Sequence, residues 1–414
     1  MSPAHDESPK LVINPAATVR WEGQTLVLAG FAEGPEATAQ DAAVLALLHA
    51  FAQPSTFEEA VARAGYRDGE EAREIVSDLR QAGVLVPPGR VATPSPLPAP
   101  AGHYEQLRQR ARRRWEAMPY LRFDDARMTV SSCGKQQLSP GCISCKEGGW
   151  ICFYAGFACP AAGAVCPQST EQKALVEPDG GLSRVDVVLA AAKASAHRVT
   201  GISISGGDPA LYPDLVGRLA SSARRDLPGV HLWAYTSGLS LSPEEMARWA
   251  GEGVDELRVN LSASGFAPAV MKKVAEHAVR LFRWVTVEVP ATAETREHLV
   301  TRGRLAELSA AGVKQLNLCE VIIPADKPDC PAYRNHVGDG ALLFEAPPEY
   351  GPAWTLGDSR QVTCDVFEHA HAKGLGIRIN DCSLDAKLAQ GLSRQVRWGD
   401  DYAPILRAAF PPAG

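Results

Sequence analysis

Val199-Thr200-Gly201-Ile202-Ser203-Ile204-Ser205-Gly206-Gly207-Asp208-Pro209 is the stretch that decides the fold. Residues 199–205 are short-chained and uncharged, with Val199, Ile202 and Ile204 favouring an extended backbone. Gly206-Gly207 ends that strand, and apolar residues at helical spacing resume over 211–224. A strand that passes through a glycine turn straight into a helix is the first half of a βαβ unit. The same alternation recurs on both sides. Strands are expected at 150–158, 199–205, 230–236, 256–261, 284–289, 314–323 and 376–380. Helices are expected at 184–195, 211–224, 243–250, 267–281, 294–310 and 359–373. Apolar strands separated by helices of about 10–15 residues predict parallel pairing. Six or so such units predict an α/β fold, a partial (β/α)6 barrel over 146–385. Its chemistry would gather at the C-terminal ends of the strands.

The chain has 414 residues and a net charge of −6. That length fits one large domain and a small one. No global basic field points to nucleic acid. No apolar run reaches the ~18 residues that a membrane span needs. Met1 to Glu7 lack the charged and apolar regions of a signal peptide, so a cytoplasmic protein is expected. Ten cysteines are present, six of them between 133 and 166. In a chain of this size without an export signal, that density reads as metal or cluster binding rather than disulfides.

Residues 10–87 read as a separate small unit. Thr18–Trp21 and Gln24–Leu28 alternate around Glu22-Gly23, a hairpin signature. Val44, Leu47, Leu48 and Phe51 then repeat at helical spacing. A second helix is expected from Asp68 to Ala82, ended by Gly83, before a short strand at Val84–Val86. Hairpin, helices and closing strand predict a winged-helix-like module. Its helices show no concentrated Lys/Arg face, which argues against DNA. Residues 88–102 hold Pro88, Pro94, Pro96, Pro98 and Pro100 and read as a stiff linker. A helix with Arg108, Arg110, Arg112, Arg113 and Arg114 opens the segment 103–145, and its basic side reads as a solvated face. Residues 386–414 read as a C-terminal tail.

Three features carry chemistry. Cys159-Pro-Ala-Ala-Gly163-Ala-Val-Cys166-Pro follows the first strand of the barrel pattern, after Phe153, Tyr154 and Phe157. Thiolates are soft ligands that suit iron–sulfur clusters. Ser205-Gly206-Gly207-Asp208-Pro209 follows the second strand. Glycines there permit close backbone approach to a ligand, and carbonyls with Asp208 offer acceptors to an ammonium group. The third feature is Cys133, Cys142, Cys145 and Cys152. Cys142-Ile-Ser-Cys145 has the spacing of a tight metal turn, and the four thiols are either a second metal site or buried free thiols.

The first two features together resemble the radical S-adenosylmethionine (SAM) superfamily, over roughly 145–383. In that family a C-x3-C-x2-C loop supplies three thiolates to a [4Fe–4S] cluster whose fourth iron chelates SAM. Here Gly163 stands where the middle cysteine would be. The resemblance implies Cys159 and Cys166 as metal ligands. It implies Ser205, Gly206, Gly207, Asp208 and Pro209 as the turn that holds the amino group of SAM. It places Tyr235, Ser237, Arg258, Asn260 and Glu288 near the same cofactor. The implied activity is reductive cleavage of SAM to a 5′-deoxyadenosyl radical that abstracts hydrogen from a substrate. An electron donor such as a flavodoxin or ferredoxin is implied as partner, and the sequence assigns no further catalytic residue. The small N-terminal module resembles leader-peptide recognition domains of peptide-modifying enzymes; a purely structural winged helix is the other reading. A peptide substrate is the first expectation and a small molecule the second. With one thiolate missing, the alternative is a degenerate barrel that binds a peptide or partner without radical chemistry.

Other cysteines are candidates to fill the gap. If 152–159 is one extended strand, seven steps of ~3.3 Å put Cys152 about 23 Å from Cys159. Cys319, Cys330 and Cys382 come from later strands or the loop after them, and Cys330 is a conceivable recruit. Residues 324–360 are expected to hold little secondary structure and to cap the substrate, with Tyr333, Arg334, His336, Glu345 and Tyr350 as contacts.

Overall fold

The computed structural model describes residues 10–132, 137–161, 181–324, 343–345 and 353–401 together with 405 and 409, apart from short stretches at 15–16, 23–24, 30–35, 40–42, 53, 66–68, 89–97 and 100–102. Two compact units result: residues 1–108 with 322–357, and residues 109–321 with 358–414.

In the first unit, Thr18–Glu22, Thr25–Ala29 and Glu36–Ala39 form a three-stranded antiparallel sheet, the first two as the expected hairpin. Helices Ala43–Ala50, Phe57–Ala64 and Gly69–Gln81 follow. Leu26, Leu28, Leu47, Phe51, Leu79 and Val84 join in its core. Gly83 adopts the left-handed conformation (φ 68°) that ends the last helix, and Leu85–Val86 pairs back with Val12–Ile13. The sequence reading missed the middle helix. Its start is marked by a capping box, with Thr56 and Glu59 each bonding the other's main-chain N–H. Two further expectations need correction. Ile323–Pro324, Leu343–Glu345 and Ala353–Leu356 are strands, although 324–360 was read as nearly structureless. Leu343–Phe344 pairs with Pro98–Ala99, so part of the expected linker lies in a sheet.

The second unit is built on a nine-stranded sheet. Its strands are β1 (Arg122–Asp124), β2 (Thr129–Ser131), β3 (Trp150–Tyr154), β4 (Gly201–Ser205), β5 (His231–Thr236), β6 (Glu256–Val259), β7 (Trp284–Pro290), β8 (Gln315–Cys319) and β9 (Arg378–Cys382). Their order is β1-β2-β9-β8-β7-β6-β5-β4-β3. From β3 to β9 every pairing is parallel and every neighbour is next in sequence. At one edge β2 pairs antiparallel with both β9 and β1. Right-handed crossovers that always step the same way leave their helices on one face of a sheet.

That rule accounts for the strand sequences. Ile202, Ile204, Leu232, Ala234, Leu257, Val259, Val285, Val287, Leu316, Leu318 and Ile379 share one core with the buried residues of the helices Leu182–Ala194, Pro213–Asp226, Pro243–Glu252, Arg304–Ala311 and Ser359–Ala372. The alternate residues point to the opposite face, because successive side chains of a strand alternate. Those residues are polar or aromatic: Cys152, Ser203, Trp233, Tyr235, Glu256, Arg258, Thr286, Glu288, Gln315, Asn317, Cys319, Asn380 and Cys382. A parallel sheet covered by helices on both faces would read as continuous apolar strands; these alternate because crossovers cover one face only.

Part of the polar face is filled by a short helix, α1 (Pro140–Lys146), started by Ser139, whose Oγ accepts from the N–H of Cys142. It packs on β3, β4 and β5. Gly141 lies where a Cβ would strike the side chains of Arg258 and Glu256. Ser144 Oγ meets Thr200 Oγ1 at 2.7 Å. The expected helix over 294–310 is interrupted: Ala293–Arg296 runs through a π-turn at Glu297–Thr301, and Gly303 (φ 72°) begins the next helix. Among the described residues no helix is long and apolar enough to cross a membrane.

Candidate functional site

The site builds outward from the turn after β4. Ser205 is the last strand residue, and its carbonyl accepts from Ala155 N at 2.8 Å. Gly207 N donates to Gly156 O at 2.7 Å, and Asp208 N donates to Ala158 O at 2.8 Å. The chain leaving β3 is therefore laced along the turn as far as Cys159, which is half-buried. Gly206 has φ 122°, a region that side chains disfavour, and a Cβ there would strike the carbonyl of Gly156. A Cβ on Gly207 would sit within the carbonyls of Phe157 and Ala158. Both glycines are thus required by protein backbone. The sequence reading assigned them to approach of a ligand; the approach of the 156–158 backbone requires them as well.

Asp208 is fully buried and tied on both oxygens. Oδ1 accepts from Ala210 N at 3.0 Å, and Oδ2 accepts from Ser237 N at 3.0 Å and Ser237 Oγ at 2.5 Å. It joins the ends of β4 and β5. Lys273 Nζ holds the following loop through the carbonyls of Gly238 and Leu241, at 2.5 and 2.8 Å. Pro209 is buried, while Ser205, Gly206 and Gly207 keep partial exposure. Tyr212, which the sequence reading passed over, completes the arrangement: its hydroxyl accepts from Ala158 N at 3.0 Å, and its ring occupies the space beside Gly156. An aromatic residue immediately before the helix-starting Pro213 was the available signal.

Tyr235, Arg258 and Glu288 are brought together on the polar face. Arg258 is buried, and Nε donates to Glu256 Oε1 at 2.8 Å. Nη1 donates to Tyr235 Oη at 3.0 Å and Glu288 Oε2 at 3.1 Å. Its guanidinium also lies over the rings of Trp233 and Tyr235. Glu256 accepts in addition from Thr286 Oγ1 at 2.8 Å and pairs with His231 Nε2 at 2.9 Å. Burial pushes its carboxyl up, but the Arg258 charge and the His231 hydrogen bond outweigh that and leave it at about 2. Glu288 accepts from Asn317 Nδ2 at 2.8 Å. Asn260 stands apart: it is exposed, and its Oδ1 accepts from Ala263 N at 3.2 Å, closing the turn after β6.

The upstream cysteines lie in the same interior. Cys142 Sγ receives Gln315 Nε2 at 3.1 Å, Asn317 Nδ2 at 3.4 Å and Arg258 Nη2 at 3.4 Å. Cys145 donates to Gln390 Oε1 at 3.1 Å. Burial pushes Cys145 up to about 12 and Cys152 up to about 11. Cys133 lies outside the described residues. Among the described residues no three His, Cys, Asp or Glu side chains are grouped to hold a metal ion. The premise of an extended 152–159 strand does not hold, since β3 ends at Tyr154 and the chain then follows the turn after β4.

Gly163, Cys166, Cys330, Tyr333, Arg334, His336 and Tyr350 lie outside the described residues. A [4Fe–4S] cluster on this loop requires thiolate donors, and 159–166 supplies two where three are used. The donor set therefore falls one sulfur short. Ser205, Gly206 and Gly207 keep partial exposure beside Cys159, with the Ser205 carbonyl and the Gly207 N–H already bonded to the chain leaving β3.

No protein-family model matches the chain, and no curated protein matches it significantly. Solved structures give distant likenesses. Streptococcus suis SuiB is 13% identical over 90% of this chain and 72% of its own, with a TM-score of 0.39. BtrN in complex with AdoMet and 2-DOIA is 14% identical over 45% of this chain and 75% of its own, with a TM-score of 0.29. The radical SAM methyltransferase TsrM from Kitasatospora setae is 11% identical over 63% of this chain and 65% of its own, with a TM-score of 0.35.

Proposed function

We propose that the chain is a radical SAM protein that seats SAM at the C-terminal ends of the parallel strands. Seven sequential parallel strands with helices on one face are the wall of a partial barrel, and the turn at Ser205–Pro209 lies at its rim. In this reading Ser205, Gly206 and Gly207 present main-chain groups to the amino end of SAM. Asp208 and Ser237 fix the turn, while Tyr235, Arg258 and Glu288 brace the surface beneath. Asn260, in the turn after β6, is the residue this reading leaves furthest from the others. Cys159 and Cys166 are the two thiolates that this loop would offer to a cluster. A cluster seated there would supply the electron that cleaves SAM and so generates a 5′-deoxyadenosyl radical for hydrogen abstraction. The observation that carries the reading is the lacing of Gly156 and Ala158 onto Gly207 and Asp208, because it sets Cys159 beside the turn.

The N-terminal unit would present a ribosomally made peptide, a flavodoxin or ferredoxin would deliver electrons, and the protein would act in the cytoplasm. Gly163 favours a second reading, a barrel that binds a peptide or partner without radical chemistry. Anaerobic reconstitution followed by iron, sulfide and 5′-deoxyadenosine assays separates the two. Gly163→Cys is expected to raise bound iron and SAM cleavage together. Iron near four per chain before that change, and unaltered by it, would mean that another residue already supplies the third ligand. Absence of SAM binding and of cleavage in both forms would leave only the second reading.

A further inference from the structure

At the last position of β8 and β9, Cys319 and Cys382 stand directly opposite one another in parallel register. Both follow amide residues on the polar face, Asn317 and Asn380, so alternation turns both sulfurs to that face. Both are half-buried, whereas Cys142 and Cys364 are buried. Asn380 Nδ2 donates to Cys382 Sγ at 3.2 Å. The two neighbouring thiols act oppositely on each other, Cys382 being pulled down and Cys319 pushed up, against a burial effect that raises both; Lys146 and Lys387 also favour the Cys382 thiolate. One nucleophilic sulfur and one protonated neighbour is the division of labour of a reactive dithiol.

We propose that Cys319 and Cys382 are a dithiol–disulfide couple that exchanges with small-molecule disulfides. Neighbouring strands lie about 4.7–4.9 Å apart, within the ~4.4–6.8 Å Cα separation that a disulfide spans. Cys382 thiolate attacks one sulfur of the oxidant, which breaks its S–S bond and releases one thiol. Cys319 then loses its proton and attacks Cys382 Sγ in the mixed disulfide, releasing the second thiol. Two electrons pass to the oxidant, two protons leave with its thiols, and one S–S bond forms between β8 and β9. The closed bond would pin the strand ends where the chain departs through Glu320 and Ser383. This couple is independent of SAM binding and of iron.

The test uses the full-length chain equilibrated in mixtures of reduced and oxidised glutathione, acid-quenched, alkylated and mapped by mass spectrometry. The expected result is a Cys319–Cys382 crosslink, with both residues losing alkylation at one shared midpoint. Tandem spectra must place the link on Cys319, because Cys330 shares its tryptic peptide. With Cys319→Ser, Cys382 should instead accumulate as a stable glutathione mixed disulfide. Separate midpoints, a link through Cys330, or full alkylation of both thiols under oxidising mixtures would each overturn the proposal.

Discussion

Gly207 donates its main-chain N–H to the carbonyl of Gly156 at 2.7 Å, and this bond fastens the exit of one strand to the exit of the next. The two residues are 51 positions apart in sequence; a Cβ on Gly207 would strike the carbonyls of Phe157 and Ala158, and one on Gly156 would strike the Tyr212 ring.

Gly207→Ala should force the 156–158 backbone off the turn. Overpacking against rigid backbone costs about 1–3 kcal/mol. Urea unfolding should report that loss, and calorimetric titration with SAM should show weakened binding. Unchanged stability would mean that the lacing is not a fixed feature of the fold.

Arg258→Met should strand Glu256 and Glu288 in the interior. Removing one partner of a buried ionic group costs about 3–5 kcal/mol. Adding Glu256→Gln should recover part of the loss, since one of the two stranded charges is then gone. If the double variant is no more stable than Arg258→Met alone, Glu256 is not the charge that Arg258 compensates.

Asp381 should make stability fall with rising pH. It is buried, its Oδ2 has no partner, and burial pushes its carboxyl up to about 6 despite the charge of Arg360. An unfolded aspartate titrates near ~3.9. Between about pH 4 and 6 the folded chain thus binds more protons than the unfolded one, so stability drops across that window and the penalty stays constant above it. Asp381→Asn should be more stable than the parent at pH 7.5, by about 1–3 kcal/mol. That advantage should shrink towards pH 4.5. An equal difference at both pH values would refute the assignment.

Cys142→Ser should leave metal content unchanged. The sulfur of Cys142 is already met by Gln315, Asn317 and Arg258, and a hydroxyl oxygen can accept from the same donors. Loss of one equivalent of zinc or iron from the purified protein would instead restore Cys142 to a metal site.

Strands and helices of the larger unit were legible because the pattern switches between periods of two and about 3.6. The short turn at 205–209 was legible for the same reason: it falls where one period stops and the other begins. The cause of its glycines was not, since sequence cannot say which backbone approaches a missing side chain. Strand polarity held a further clue. Glu256, Arg258, Gln315, Asn317 and Asn380 alternate with apolar residues, which distinguishes a sheet covered on one face from a doubly covered one. The placement of α1 could not be read. Its partners Arg258, Gln315 and Gln390 are more than a hundred residues away, and no local pattern encodes that pairing. In the smaller unit, the Thr56–Glu59 capping box was present in sequence and went unused.

The seating of α1 against the sheet bears on how this protein can be dissected. A recombinant fragment begun at Trp150, where the parallel strands start, would arrive without the helix that covers Glu256, Arg258 and Gln315, and would open those groups to water. Any minimal clone of the larger unit has to begin upstream, near residue 109, so that the strand pair at 122–131 and the helix at 140–146 travel with the sheet they complete.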